Sequence, residues 1–240
     1  MPPAEPDLRP SGARHDSSLP RWAVEKMIRR RNGRRYAFED LRPARTALIV
    51  IDLMQGYVDG TPCAASIIAP INALATALRR AGGLIAWVLP DPAMQDMPHL
   101  QALWGEDHIR KTTAGMVPGM ALATGLQTDA ADLKVSKRAY SAFFPGKSPL
   151  PDLLASRGID TILIAGVLTN ICCESSARDA MTLGYRVVMV SDANAARSDA
   201  EHQSALYNVM RNFGDVRESS ELIALFDAMP AAVDQPFASG

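Results

Sequence analysis

Four stretches of this 240-residue chain are near-continuous runs of β-branched and aliphatic residues: Thr46–Ile51 (TALIVI), Leu84–Leu89 (LIAWVL), Thr161–Ala165 (TILIA) and Arg186–Ser191 (RVVMVS). A strand that faces water on one side alternates apolar and polar residues, whereas a strand covered on both faces is apolar throughout. Leu133–Ser136 adds a shorter strand. Between the strands lie helical patterns: Pro70–Ala81 stopped by Gly82-Gly83, Leu150–Arg157 before Gly158, and Asn170–Leu183 before Gly184. A fourth helix is opened by Ser198 and Glu201 as a capping box and runs to about Asn212, and Ser220–Ala228 forms a last one. Buried strands alternating with helices predict an α/β protein, three layers deep, with helices on both faces of a central, mostly parallel, Rossmann-like sheet. There is no internal repeat, and no GxGxxG or Walker-type loop follows a strand, so a nucleotide fold of those types is not indicated.

The chain length fits one domain. The expected division is an N-terminal extension over 1–40, a catalytic-size domain over 41–230 and a tail over 231–240. Residues 1–20 hold five prolines among small and polar residues and are expected to be disordered or laid over the surface. The basic stretch Arg29–Arg35 reads as a solvated face or a subunit contact, with attraction of an anionic substrate as the sharper alternative. Residues 90–128 lack a clear period and are expected to wander around a site with short helices.

A net charge of −1 gives no sign of nucleic acid or a membrane surface as partner. No run approaches the 18 or so apolar residues of a membrane span, and no signal-peptide pattern opens the chain. The three cysteines, Cys63, Cys172 and Cys173, make a poor disulfide framework, which favours a reducing compartment. The expected location is the cytoplasm.

In parallel sheets ligands bind beyond the carboxyl ends of the strands. Asp52 directly follows Thr46–Ile51, where partial desolvation raises a carboxyl pKa unless a cation is near; by position alone it serves equally well as a turn aspartate. Lys137 follows Leu133–Ser136, and taken alone it is an ordinary surface lysine. Cys172 lies where the strand Thr161–Ala165 turns into a helix. There the free N–H groups and the helix dipole are expected to lower a thiol pKa and to offer an oxyanion site. The alternative for such a cysteine is a structural one, the role expected of Cys173. The histidines (His15, His99, His108, His202) have no close ligand spacing, and Asp91, His99 and His108 share a region without diagnostic spacing, so no metal is expected. His202 reads as a surface or capping residue.

The segments TALIVID ending at Asp52, Ser-Lys137-Arg-Ala-Tyr-Ser-Ala-Phe, and Gly166-Val-Leu-Thr-Asn-Ile-Cys172-Cys-Glu-Ser-Ser-Ala-Arg-Asp-Ala with Gly-Tyr-Arg-Val-Val-Met-Val-Ser-Asp192-Ala together resemble the isochorismatase-like cysteine hydrolases. The resemblance spans about Arg45 to Phe226. It implies the isochorismatase-like hydrolase fold, a Cys172–Asp52–Lys137 triad, and a cis peptide between Val167 and Leu168 that turns N–H groups of Leu168 and Cys172 toward substrate. The candidate substrate contacts are Tyr57, Trp87, Tyr140, Phe143 and Thr169.

Metal-binding members such as nicotinamidases carry Asp-x-His after the second strand; this chain reads Trp87-Val-Leu-Pro-Asp-Pro there. True isochorismatases cleave an enol ether and lack the nucleophilic cysteine. The remaining resemblance is to the ureidoacrylate, N-carbamoylsarcosine and maleamate amidohydrolases. It implies a cofactor-free hydrolase cleaving a C–N bond in a small amide or ureido substrate, working as a homodimer or homotetramer. Ether hydrolysis, metal-assisted amide hydrolysis and a non-catalytic binding protein on the same fold are the competing readings.

Overall fold

The computed structural model describes residues 13–91, 93–94, 98–106 and 121–229. Its centre is a six-stranded sheet: β1 (Thr46–Ile51), β2 (Leu84–Pro90), β3 (Leu133–Lys137), β4 (Thr161–Val167), β5 (Arg186–Ala195) and β6 (Asp215–Arg217). The order is β3-β2-β1-β4-β5-β6 and every pairing is parallel. This is the doubly wound order whose direction of growth reverses between β1 and β4, opening a crevice at their carboxyl ends.

The described helices are α1 (Arg21–Arg30), α2 (Gln55–Gly60), α3 (Ile68–Arg80), α4 (Pro98–Trp104), α5 (Leu150–Ala155), α6 (Glu174–Thr182), α7 (Asp199–Asn212) and α8 (Ser219–Asp227). Side chains alternate across each strand. Leu48 and Val50 of β1 and Leu163 and Ala165 of β4 therefore pack with Leu74 of α3 and Phe226 of α8. Ile49 and Ile51 of β1 and Ile162 and Ile164 of β4 meet Leu154 of α5, Ala177 of α6 and Leu206 of α7 on the other face. All six residues of β1 are buried, as the unbroken apolar run requires.

Three departures from the sequence reading have physical causes. β5 runs on through Ser191-Asp-Ala-Asn-Ala, because the β4–β5 register shifts between Ile164 and Gly166 and Asn194 fills the break. Its Nδ2 donates to the carbonyls of Ile164 (2.9 Å) and Val190 (2.6 Å). The Ser198 hydroxyl does accept from Glu201 N–H (3.2 Å), but the Glu201 carboxylate accepts from Arg197 N–H instead, so the box is half formed. The reciprocal box sits at α8, between Glu218 and Glu221.

The Arg29–Arg35 stretch is not one solvated face. Arg31 reaches inward to Asp215 (2.7 Å), whose side chain is fully buried, and α1 packs Ala23 and Met27 against Met210 of α7. Residues 13–20 lie along the domain surface, while 1–12 and 230–240 fall outside the described residues. No helix among the described residues is long and apolar enough to cross a membrane.

Candidate active site

The crevice at the β1/β4 switch point gathers three chemically capable side chains. Asp52 leaves β1 with a left-handed φ of 56°, a conformation that aspartate tolerates better than most residues. β4 passes beside it through Gly166 (φ 120°), where a Cβ would stand 2.1 Å from the Ile51 carbonyl oxygen; only glycine allows that approach. Lys137 ends β3, and its long side chain crosses the end of β2 to reach the β1 side. Its Nζ lies 2.9 Å from Asp52 Oδ2 and 3.5 Å from Cys172 Sγ, and it donates to the Ala139 carbonyl at 3.0 Å.

Cys172 stands in a π-helical turn, Thr169–Cys173, that leads from β4 into α6. The Val167–Leu168 peptide just ahead of that turn is cis. Ser176, which the sequence reading passed over, ties the turn to the segment after β3. Its hydroxyl donates to the Cys172 carbonyl (2.7 Å) and accepts from Ala142 N–H (2.9 Å). Nothing in the sequence marks it beyond its place one helical turn after Cys172.

The electrostatics differ from expectation at the thiol. Cys172 keeps some surface, yet the protein packed around its sulfur pushes the thiol well up, the Asp52 carboxylate pushes it further, and Lys137 only partly opposes both. Held above its usual range by burial and by Asp52, the resting sulfur is a thiol. Burial likewise pushes the Asp52 carboxyl up, against Lys137 and the Cys172 thiol, which favour its charge. Burial alone would pull Lys137 down, but Asp52 and the sulfur hold it above the usual lysine range. Lys137 Nζ, 2.9 Å from Oδ2, is the group that most favours the charged carboxylate against burial. Asp52 Oδ1 is buried and accepts no hydrogen bond of full geometry. A carboxylate with one oxygen committed and one open, raised in pKa and set beside a thiol, is placed to take a proton.

The candidate contacts divide. Tyr57, on α2, lies near enough for Asp52 and Cys172 to act on its phenol, which burial already pushes up. Tyr140 follows Lys137 and accepts a hydrogen bond from the indole of the partly exposed Trp104 (2.7 Å). Trp87 and Phe143, by contrast, are core residues. Trp87 is buried in the α3 face and donates from Nε1 to Asp132 (2.7 Å), while Phe143 is buried in the opposite face, edge-on to Tyr185. Thr169 is fully buried and its hydroxyl meets His202 Nδ1 at 2.9 Å. His202 is fully buried too, against the expectation of a surface residue.

No group of three His, Cys, Asp or Glu among the described residues is arranged to hold a metal ion. Asp91, at the family's metal position, is paired with Arg138 at 2.7 Å; His108 falls outside the described residues.

Comparisons with known proteins place the chain in a family. The isochorismatase domain model matches residues 46–221. Maleamate amidohydrolase of Pseudomonas putida is 32% identical over 181 residues, covering 72% of this chain and 82% of that protein. Among solved structures, a cysteine hydrolase from Pseudomonas syringae pv. phaseolicola superposes with a TM-score of 0.69 at 28% identity, covering 78% of this chain and 95% of that one. The N-carbamoylsarcosine amidase of Thermoplasma acidophilum does so with a TM-score of 0.60 at 27% identity, over 73% and 96%. The parallel sheet, the strand-end site and the domain match lead to one conclusion: this chain belongs to the isochorismatase family, within its isochorismatase-like cysteine hydrolases.

Proposed function

We propose that the protein is a metal-independent cysteine amidohydrolase acting on a small amide, ureido or carbamoyl compound, with Cys172, Asp52 and Lys137 as its triad. The observation that carries this reading is Lys137 Nζ lying within 2.9 Å of Asp52 Oδ2 and 3.5 Å of Cys172 Sγ. The names of the P. putida and T. acidophilum relatives support the bond class.

In the proposed cycle, Asp52 takes the thiol proton through Oδ1 as sulfur attacks the carbonyl carbon. Lys137 remains protonated and balances the negative charge that moves between sulfur and carboxylate. The tetrahedral oxyanion is held by the N–H groups of Leu168 and Cys172. Asp52 then returns the proton to the leaving nitrogen, the C–N bond breaks, and ammonia or an amine departs from a thioester. A water molecule deprotonated by Asp52 attacks that thioester, and as the C–S bond breaks Asp52 returns that proton to the departing sulfur, releasing the acid and regenerating the thiol. A resting thiol suits this scheme: charge on sulfur arises only when substrate is present to accept it.

Ammonia release across ureido acids, carbamoyl amino acids, maleamate and nicotinamide tests the reading. We expect turnover of at least one compound that chelators leave intact and thiol alkylation abolishes. Near-normal turnover by Cys172→Ala would falsify the proposal.

A further inference from the structure

Behind the Cys172 turn lies a buried histidine that the cycle above does not use. His202 Nδ1 is 2.9 Å from the Thr169 hydroxyl and Nε2 is 3.1 Å from the Ser17 hydroxyl. Its ring stacks on His15 with centroids 4.7 Å apart and planes 13° apart. His15 in turn meets Asp199 Oδ1 at 2.8 Å through Nδ1, and its Nε2 lies 3.1 Å from both the N–H and the carbonyl oxygen of Ala196. Residues 13–20 are thereby seated over α7 with the histidine pair enclosed between them.

Proton supply assigns the direction of each bond. The Ser17 hydroxyl has one proton and lies 3.3 Å from the Ser191 carbonyl, which can only accept. With that proton given to Ser191, Ser17 offers a lone pair to a His202 Nε2–H. Burial, assisted by His15, holds His202 down at about 4, so the ring is neutral and Nδ1 is bare. The Thr169 hydroxyl then donates to Nδ1, and every proton in the chain has one acceptor. The opposite tautomer would draw the Ser17 proton away from Ser191 and leave the Thr169 proton without a place among these groups. Thr169 opens the π-helical turn, directly after Leu168 and three residues before Cys172.

We propose that His202 is a positioning residue: from behind, it pins the Thr169 hydroxyl and so fixes the turn that presents Leu168 and Cys172, with Ser17 of the N-terminal segment locking its tautomer. This rests on the reading of Cys172 as nucleophile, since a turn without chemistry would have no rate to lose. A displacement of about 1 Å at a reacting group can cost about 100-fold in rate.

The test uses the full chain with Thr169→Val, Thr169→Ser, His202→Phe and the Thr169→Val/His202→Phe double variant. Readouts are the melting transition, kcat and KM for ammonia release, and the rate of Cys172 alkylation by iodoacetamide followed by peptide mass mapping. We expect Thr169→Val and His202→Phe each to lower kcat about 10- to 100-fold while KM moves less than about threefold, and both to shift the alkylation rate in the same direction. Thr169→Ser, which restores the donor, should recover most of the lost rate. The double variant should be no worse than either single one, because both remove the same link. The proposal is overturned if a cooperatively melting Thr169→Val keeps wild-type kcat and alkylation rate. Equal impairment of Thr169→Ser, or losses that multiply in the double variant, would overturn it as well. Should His202→Phe fail to fold, the Thr169 pair decides alone. If the wild type hydrolyses nothing in the panel, the amidohydrolase reading fails, while the alkylation rates still judge the positioning role.

Discussion

Two buried ion pairs in this molecule use similar parts for opposite ends. Arg31–Asp215 (2.7 Å) joins the N-terminal extension to β6, and Lys137–Asp52 (2.9 Å) joins β3 to β1. Both aspartates are almost fully buried. Both oxygens of Asp215 are engaged: Oδ1 accepts from Arg31 and from Ala37 N–H, and Oδ2 accepts from Phe38 N–H. Asp52 has Oδ2 held by Lys137 and Oδ1 open beside a thiol. A buried carboxylate with both oxygens held by donors serves to fix the structure, whereas one with an oxygen left short of a donor can still accept a proton. The difference separates a structural clamp from the centre proposed to be reactive.

The largest expected effect breaks the reactive side. Asp52→Asn should lower turnover by about 100- to 10,000-fold, the range for loss of a general acid–base group. Steady-state ammonia release checks it, and undiminished turnover would place the proton elsewhere. The structural side should fail differently. Asp215→Asn leaves Arg31 without its partner and should cost about 3–5 kcal/mol in urea unfolding. The folded fraction should keep the wild-type kcat, and a matching fall in kcat would erase the distinction between the two pairs.

A smaller effect concerns pH. His202 is held at about 4 in the folded protein against 6.5 when free, chiefly by burial and by His15, with Asp199 and Asp16 opposing. The unfolded chain therefore binds this proton first as pH falls. Stability is whole above about 6.5 and is lost progressively down to about 4, by at most roughly 3 kcal/mol. His202→Gln should flatten the melting temperature against pH across that window; an unchanged slope would assign the loss to other groups. The smallest effect tests a residue the structure moved out of the site. Trp87→Phe removes the Nε1 donor to Asp132 and should cost about 1 kcal/mol of stability with KM unaltered. A raised KM would return Trp87 to the pocket.

Legibility followed local physics. β1 begins and ends where its β-branched and apolar run does, as expected of a strand buried on both faces. The three-residue β6 (Asp215–Arg217) was illegible, because it is short and two of its three residues are charged, one of them Asp215, whose buried carboxylate is paired with the distant Arg31. α1 was hidden beneath a reading of charge alone. Asp52, Lys137 and Cys172 could be marked as strand-end residues and by resemblance, but the expected low thiol pKa was not met, since burial around sulfur comes from segments distant in sequence. Trp87 and Phe143 lie next to site segments in the chain and inside the core in space. An aromatic residue carries no sign of which face of its strand or loop will be covered.

The sequence by itself determined the layered α/β architecture and the strand ends at which chemistry could gather, because backbone periodicity and apolar runs are local properties. The tertiary structure alone decided that Lys137 would cross β2 to Asp52, that Asp52 would keep one oxygen open, and that His202 would close against Thr169 and Ser17. Those outcomes depend on which distant groups share a dry space. Desolvation and hydrogen-bond saturation are set by that space and by no single stretch of chain.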